Sequence, residues 1–321
     1  MAEVTEASAS ERKTDEEAAS PPPSSVSYPN PSGAESPSSS SSSTPLPPSV
    51  ARLWRPSAQR NLRNQWSKLA SCRQQWTLSS SSGRSQATSL VNASLSQRYM
   101  PSMELGVLED MPDIRKKACQ KLFKQQELHG SKLVSSYRDM VAAVVNMITA
   151  MRSMRCYLKG GTSSPLVKFS TISEEKSDTG DGGGIPVFTF WSIPYFEKLA
   201  EELVEMFKSE LCLKRLIVLE LLSTGCEAPQ LDHLNWSNAL YSGEFNDLAL
   251  CGLYSAETHD PLPPRLKGGK CDMPPVKRSS QASQETVQVY LTAWLAEVNI
   301  DTHRVHEIFA IVGEEIHFNF S

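Results

Sequence analysis

The sequence predicts a mainly α fold: a long helix plus a C-terminal helical bundle, with at most a minor two-stranded element and a disordered N-terminal tail. Three observations predict it. Apolar residues recur at spacings of three and four through long stretches without proline. Only two short segments, Ile185–Trp191 and Ile316–Phe320, have a strand-like pattern. The first 50 residues are dominated by Ser and Pro (PPPSS, SPSSSSSSTPLPPS) and hold few large apolar side chains. Such a composition cannot bury enough surface to offset its chain entropy.

The elements follow in order. Residues 1–50 form the predicted disordered tail, in which Ser20, Ser36 and Thr44 each precede proline and suit proline-directed phosphorylation. Residues 51–109 form a basic amphipathic helical arm. On a wheel of about 100° per residue, Ala58, Leu62, Trp66, Leu69, Cys72 and Trp76 share one face. Arg60 and Arg63 fall opposite, Lys68 lies on the flank and Arg73 intrudes on the stripe. Proteins that stack nucleobases mix aromatic and basic side chains in one groove; here the two sets are mostly separate, so the tryptophans are expected to pack against protein. Pro56 is placed at the helix start, Ser79–Arg84 is read as a flexible link, and a weaker helix carrying Leu90 and Leu95 ends near Pro101.

Residues 110–159 are expected to form one long helix, capped by Asp110 with Pro112 and Asp113 in its first turn. Its seam runs through Ile114, Ala118, Leu122, Leu133, Tyr137, Val141, Val144, Ile148, Met151 and Leu158. Gly130 predicts a kink, because glycine weakens helix by about 1 kcal/mol. Residues 160–184 form a flexible linker. Its glycine run lacks the GK[ST] ending of a phosphate loop.

Residues 185–321 are read as an acidic helical domain. A strand at Ile185–Trp191 precedes a helix capped by Ser192, with Phe196, Leu199, Leu203, Phe207 and Leu211 as its stripe. A short helix is placed at Trp236–Leu240 and an exposed loop at 258–283. Val287, Leu291, Trp294, Leu295 and Val298 mark a further helix, then Val305, Ile308, Phe309 and Val312 another, as an αα-hairpin. Ile316, Phe318 and Phe320 alternate with polar residues and predict a tail strand against Val187–Phe190.

The net charge of −4 conceals a partition. Residues 1–50 sum to −5, residues 51–159 to +12 and residues 160–321 to −11. Either the basic segment meets an external polyanion, or the two halves face each other; equal and opposite charges favour the second. Seven scattered cysteines without a CxxC pair fit free thiols in a reducing compartment. The acidic start is unlike a secretory signal, and the longest apolar run, Met140–Met151, is too short to cross a bilayer. A nuclear or cytoplasmic location is expected, with organelle import left open by the acid-poor Ser/Arg stretch.

No catalytic, cofactor or metal site is expected. His303 and His306 offer two ligands beside Asp301 and Glu307, short of the four of a structural zinc site. Cys212, Cys226, His233 and Cys251 are irregularly spaced, and Glu201–Glu202 and Glu314–Glu315 are helix neighbours that point apart. The expectation is therefore a non-enzymatic adaptor or scaffold that binds protein partners through helical seams of coiled-coil type, with Leu62, Trp66, Leu69, Trp76, Tyr137, Val141, Val144 and Ile148 as contacts. The alternative is a nucleic-acid-associated protein touching phosphates through Arg60, Arg63, Lys68, Arg115, Lys116, Lys117, Lys121 and Lys124. Oligomeric state is left open.

Overall fold

The computed structural model describes residues 48–158, 186–224, 235–264 and 284–320. It has six α-helices among those residues: α1 (Pro48–Tyr99), α2 (Ile114–Arg152), α3 (Ile193–Thr224), α4 (Glu244–Leu250), α5 (Gln284–Ala296) and α6 (Thr302–Ile316). The tail before Pro48, the linker 160–184 and most of the predicted loop at 258–283 lie outside the described residues.

Helices α1 and α2 form an antiparallel hairpin. Gln126 Nε2 donates to Gln97 Oε1 (2.5 Å), His129 Nδ1 to Gln86 Oε1 (2.9 Å), and Ser82 and Ser136 share a hydroxyl bond of 3.1 Å. At the other end Asn61 Nδ2 reaches the carbonyls of Ser153 and Met154 (2.9 and 2.7 Å). At about 1.5 Å per residue the 52 residues of α1 span roughly 78 Å. Helix α3 lies against α2, with Leu222 facing Gly130. Helices α5 and α6 each pack on α1 and α3 instead of lying side by side as the predicted αα-hairpin.

Several expectations are corrected. Helix α1 begins at Pro48, so Pro56 lies inside it, with the loss of one backbone hydrogen bond. Ser79–Arg84 is helix, not a flexible link. Its small side chains are needed for close packing: Ser79 and Ser80 are buried, the Ser80 carbonyl accepts from Trp294 Nε1 (3.0 Å), and a Cβ on Gly83 would lie 2.6 Å from the Trp294 ring. Asp110 is not the cap of α2. The turn closes later, with Asp113 at the N-cap in a left-handed conformation (φ 63°) and no side-chain cap bond. The helix continues through Gly130 without a break and becomes a 3₁₀ turn at Ser153–Leu158.

Residues 187–190 are not a strand. Val187 N–H closes a turn on the Trp191 carbonyl (2.8 Å), and the Glu315 carboxylate accepts the N–H groups of Thr189, Phe190 and Trp191 (2.9, 2.7 and 2.9 Å). The C-terminal segment thus meets this region through one carboxylate on three amides. The two-stranded element is instead Tyr254–Ser255 with Asp260–Pro261, antiparallel. The short helix is α4, not Trp236–Leu240, and Leu295 and Val298 are exposed.

Candidate functional site

The eight residues predicted for partner contact are inside this chain's own core. Leu62, Trp66, Leu69, Trp76, Tyr137, Val141, Val144 and Ile148 are each at most 4 % exposed. The seam read as a partner's is closed by the chain itself, since α1 and α2 cover each other's stripes. Trp66 meets Phe309 edge-on (5.9 Å, 89°) and Trp76 meets Phe207 likewise (5.3 Å, 84°). The indoles face protein, as their separation from the arginines implies.

The eight predicted phosphate contacts do not form one surface. Arg63 donates to the Ile316 carbonyl (3.2 Å) and stacks over Phe188 (5.0 Å). Arg115 donates to the carbonyls of Pro101 and Met103 (2.5 Å each). Both guanidiniums are committed to holding the fold. Arg60 and Lys68 are exposed near one end of the hairpin, while Lys116, Lys117, Lys121 and Lys124 are exposed near the other. The 31 residues from Lys68 to Tyr99 put about 45 Å of helix between the two groups. On α2, Lys117, Lys121 and Lys124 share one face and Lys116 lies beside it.

A buried polar belt, missed in the sequence, joins the two halves. Glu244 is fully buried and accepts from Arg215 Nε (2.8 Å), Tyr137 Oη (2.9 Å) and the Leu240 N–H (2.6 Å). Arg215 also donates to the carbonyls of Trp236 (2.8 Å) and Asn238 (2.7 Å), with Trp236 stacked 4.5 Å from its guanidinium. One residue earlier, Lys214 Nζ lies 3.2 Å from Glu210, bonds the Trp294 carbonyl and sits 4.6 Å from the Trp294 ring. Glu210 Oε2 accepts both Asn299 N–H groups (3.0 and 3.1 Å). Burial pushes the Lys214 ammonium below its ordinary range, opposed by Glu210 and Glu297. Burial, and then the Glu244 charge, push the Tyr137 phenol well up. Each ion here has more than one polar or charged neighbour, so the charges are buried in pairs and not singly. The sequence signal is Lys214–Arg215 at the head of the apolar run Leu216–Leu219, where the apolar stripe alone shows no partner for either charge.

Three of the remaining chemical candidates, His306, Glu202 and Glu307, have side-chain partners. His306 pairs with Arg73, and Arg304 bridges Glu202 (2.7 Å) and Glu307 (2.9 Å). No group of three or more metal-ligating side chains occurs among the described residues. Burial raises the thiols of Cys212 to about 11 and Cys251 to about 12, away from nucleophilic character. Cys226 and His233 lie outside the described residues.

Two exposed features remain. An open groove of about 530 Å³ runs between α6 and residues 318–320, lined by Phe309, Gly313, Phe318 and Phe320. The second is the apical loop 100–113 of the hairpin. Two 3₁₀ turns (Met100–Ser102 and Gly106–Leu108) shape it, and the Arg115 guanidinium pins its first limb. It nonetheless holds Met103, Val107, Leu108 and Met111 in solvent, Val107 at 93 % exposure. A scan against protein-family models and a search of curated proteins each returned no match for this chain.

Proposed function

We propose that this chain is a non-enzymatic adaptor or scaffold subunit of a larger intracellular, nuclear or cytoplasmic, protein assembly. The observation that carries the reading is the apical loop: an ordered segment that keeps four large apolar side chains in water at the end of a helical rod. Apolar surface held out in a fixed shape is what a protein contact uses. The long hairpin supplies reach, and the α3–α6 body braces its base. This differs from binding through helix seams, because those seams are filled within the chain. Crosslinking mass spectrometry of the tagged protein in cells tests it. Lysines 116, 117, 121 and 124, next to the loop, should link to other polypeptides; links confined to this chain's own residues would reject the reading.

A second reading, nucleic-acid association, is favoured by one observation: those four lysines are exposed and carry no ion pair among the described residues. Binding to duplex DNA should then weaken with salt at a log–log slope of about −0.9 per phosphate neutralised. Substituting all four lysines by glutamine should abolish it. A protein that ignores DNA and RNA at low salt removes this alternative.

A further inference from the structure

The charges around the apical loop are sorted along the chain. The loop holds Glu104, Glu109, Asp110 and Asp113, and the first three turns of α2 hold Lys116, Lys117, Lys121 and Lys124. All eight side chains are exposed. No ion pair joins the two sets within the chain, although they are adjacent in sequence. At the start of α2 the Asp113 carboxylate stands at the N-cap but makes no side-chain cap bond; the first turn has no acidic residue and carries lysines where the helix dipole disfavours cations. Val107, Leu108 and Met111, all exposed, alternate with these carboxylates along the loop, ahead of the lysine turns.

We propose that this tip is a self-complementary surface whose occupant is the tip of a second copy of the chain. A two-fold axis between the loop and the lysine turns sets the acidic loop of each copy, with its apolar side chains, against the lysine turns of the other. A two-fold contact requires this property of a patch, that each end match the opposite end. The pairing brings carboxylates to the uncapped start of α2 and covers Val107, Leu108 and Met111. The tip is small, so association belongs with weak, exchangeable dimers. The inference goes beyond the adaptor reading: two chains joined tip to tip become a bivalent scaffold with the α3–α6 bodies at its far ends.

Charge exchange tests it on the full-length protein by sedimentation velocity over a concentration series. One variant carries Lys116→Glu, Lys117→Glu, Lys121→Glu and Lys124→Glu; the other carries Glu104→Lys, Glu109→Lys and Asp110→Lys. The wild type should dimerise. Each variant alone should associate at least about tenfold more weakly, because the cross-copy pairs, those of Asp113 in the second variant excepted, become like-charged. An equimolar mixture should restore dimers, since a mainly acidic and a mainly basic tip are again complementary. Val107→Ser, at a side chain that touches little of its own chain, should weaken wild-type dimers several-fold without changing the helical circular dichroism. That arm decides the matter even where a charge variant misfolds. A wild type that stays monomeric, a mixture no more associated than its parts, or a Val107→Ser protein that dimerises normally would each overturn the proposal. A monomeric wild type that still crosslinks to other proteins in cells would overturn it and leave the adaptor reading standing.

Discussion

Gly83 shows how one residue type serves opposite ends. In an exposed helix, alanine is favoured over glycine by about 1 kcal/mol. At Gly83, however, the added methyl would lie 2.6 Å from Cζ2 and 3.3 Å from Cη2 of Trp294, whose ring is itself 1 % exposed. Overpacking of a rigid buried ring costs about 1–3 kcal/mol and exceeds the propensity gain. Gly83→Ala should therefore lower the urea midpoint. At Gly130 the nearest atom is Leu222 Cδ2 at 3.1 Å, the end of a side chain that can turn aside. Gly130→Ala should be neutral or stabilising by up to about 1 kcal/mol. Equal responses at the two positions would contradict the packing account. Glu297 makes the converse point. It holds φ 45°, where glycine is easier, yet its carboxylate accepts from Trp76 Nε1 (3.1 Å) and Ser80 Oγ (2.7 Å). Glu297→Gly relieves the backbone but strands a buried indole N–H. The loss of about 1–3 kcal/mol for an unmet donor outweighs the relief, and thermal melts should show net destabilisation.

At the scale of elements, the helices were legible because their stripes are long. Phe196, Leu199, Leu203, Phe207 and Leu211 are all buried on α3, as are Val305, Ile308, Phe309 and Val312 on α6, with Asp301 capping through Arg304 N–H (3.0 Å). What the pattern lacked was the partner of each stripe. A 3.6-residue period shows that a face is buried, not whether a second chain or the same chain buries it. That is why Tyr137, Val141, Val144 and Ile148 were assigned to a partner. The Ser79–Arg84 segment was misread for a related reason: small polar residues favour turns locally, and only contact with Trp294 and Glu297, over 200 positions later, makes their size an asset. The buried belt on α3 was hard to read because its partners come from α2, α4, α5 and two loops. It also makes a sharp prediction. Glu244→Gln removes the only carboxylate on buried Arg215 among the described residues and should cost about 3–5 kcal/mol. Adding Arg215→Met should recover part of that loss, because the second change removes the stranded charge. A double mutant as unstable as the sum of its singles would show that the pair is not coupled.

For the whole molecule, the charge partition has a more specific outcome than attraction between halves. The basic hairpin does pack on the acidic half, and Arg155–Glu197 joins them (2.6 Å). Other cross-half contacts from cations go to uncharged groups: carbonyl oxygens, as with Arg55 on Pro186 and Arg63 on Ile316, the His306 ring for Arg73, and aromatic faces. Those bonds need a charged donor but no charged acceptor, so raising salt should destabilise the fold only slightly. Alkali should act differently. Cys212 and Cys251 keep their protons to about pH 11 and 12 when folded, against 9.0 for an exposed thiol, and burial also raises Tyr137 and Tyr241. Groups raised in the folded state contribute stability that is whole below the unfolded value and disappears as pH climbs through the folded one. Lys214 has the opposite sign: its lowered value adds stability as pH approaches 10.5. Five acids, the buried Cys72 thiol included, against one base leave a net loss, beginning near pH 9 and growing to pH 11. Melting temperature measured in reducing buffer should be flat from pH 7 to 8.5 and then fall by several degrees. Cys212→Val with Cys251→Val should flatten the part of the slope nearest pH 9, where only the thiols ionise in the unfolded chain. A wild-type melting temperature unchanged at pH 11 would mean that these thiols and phenols are as open to water as in the unfolded chain, in conflict with the packing of α3 against α2 and α4.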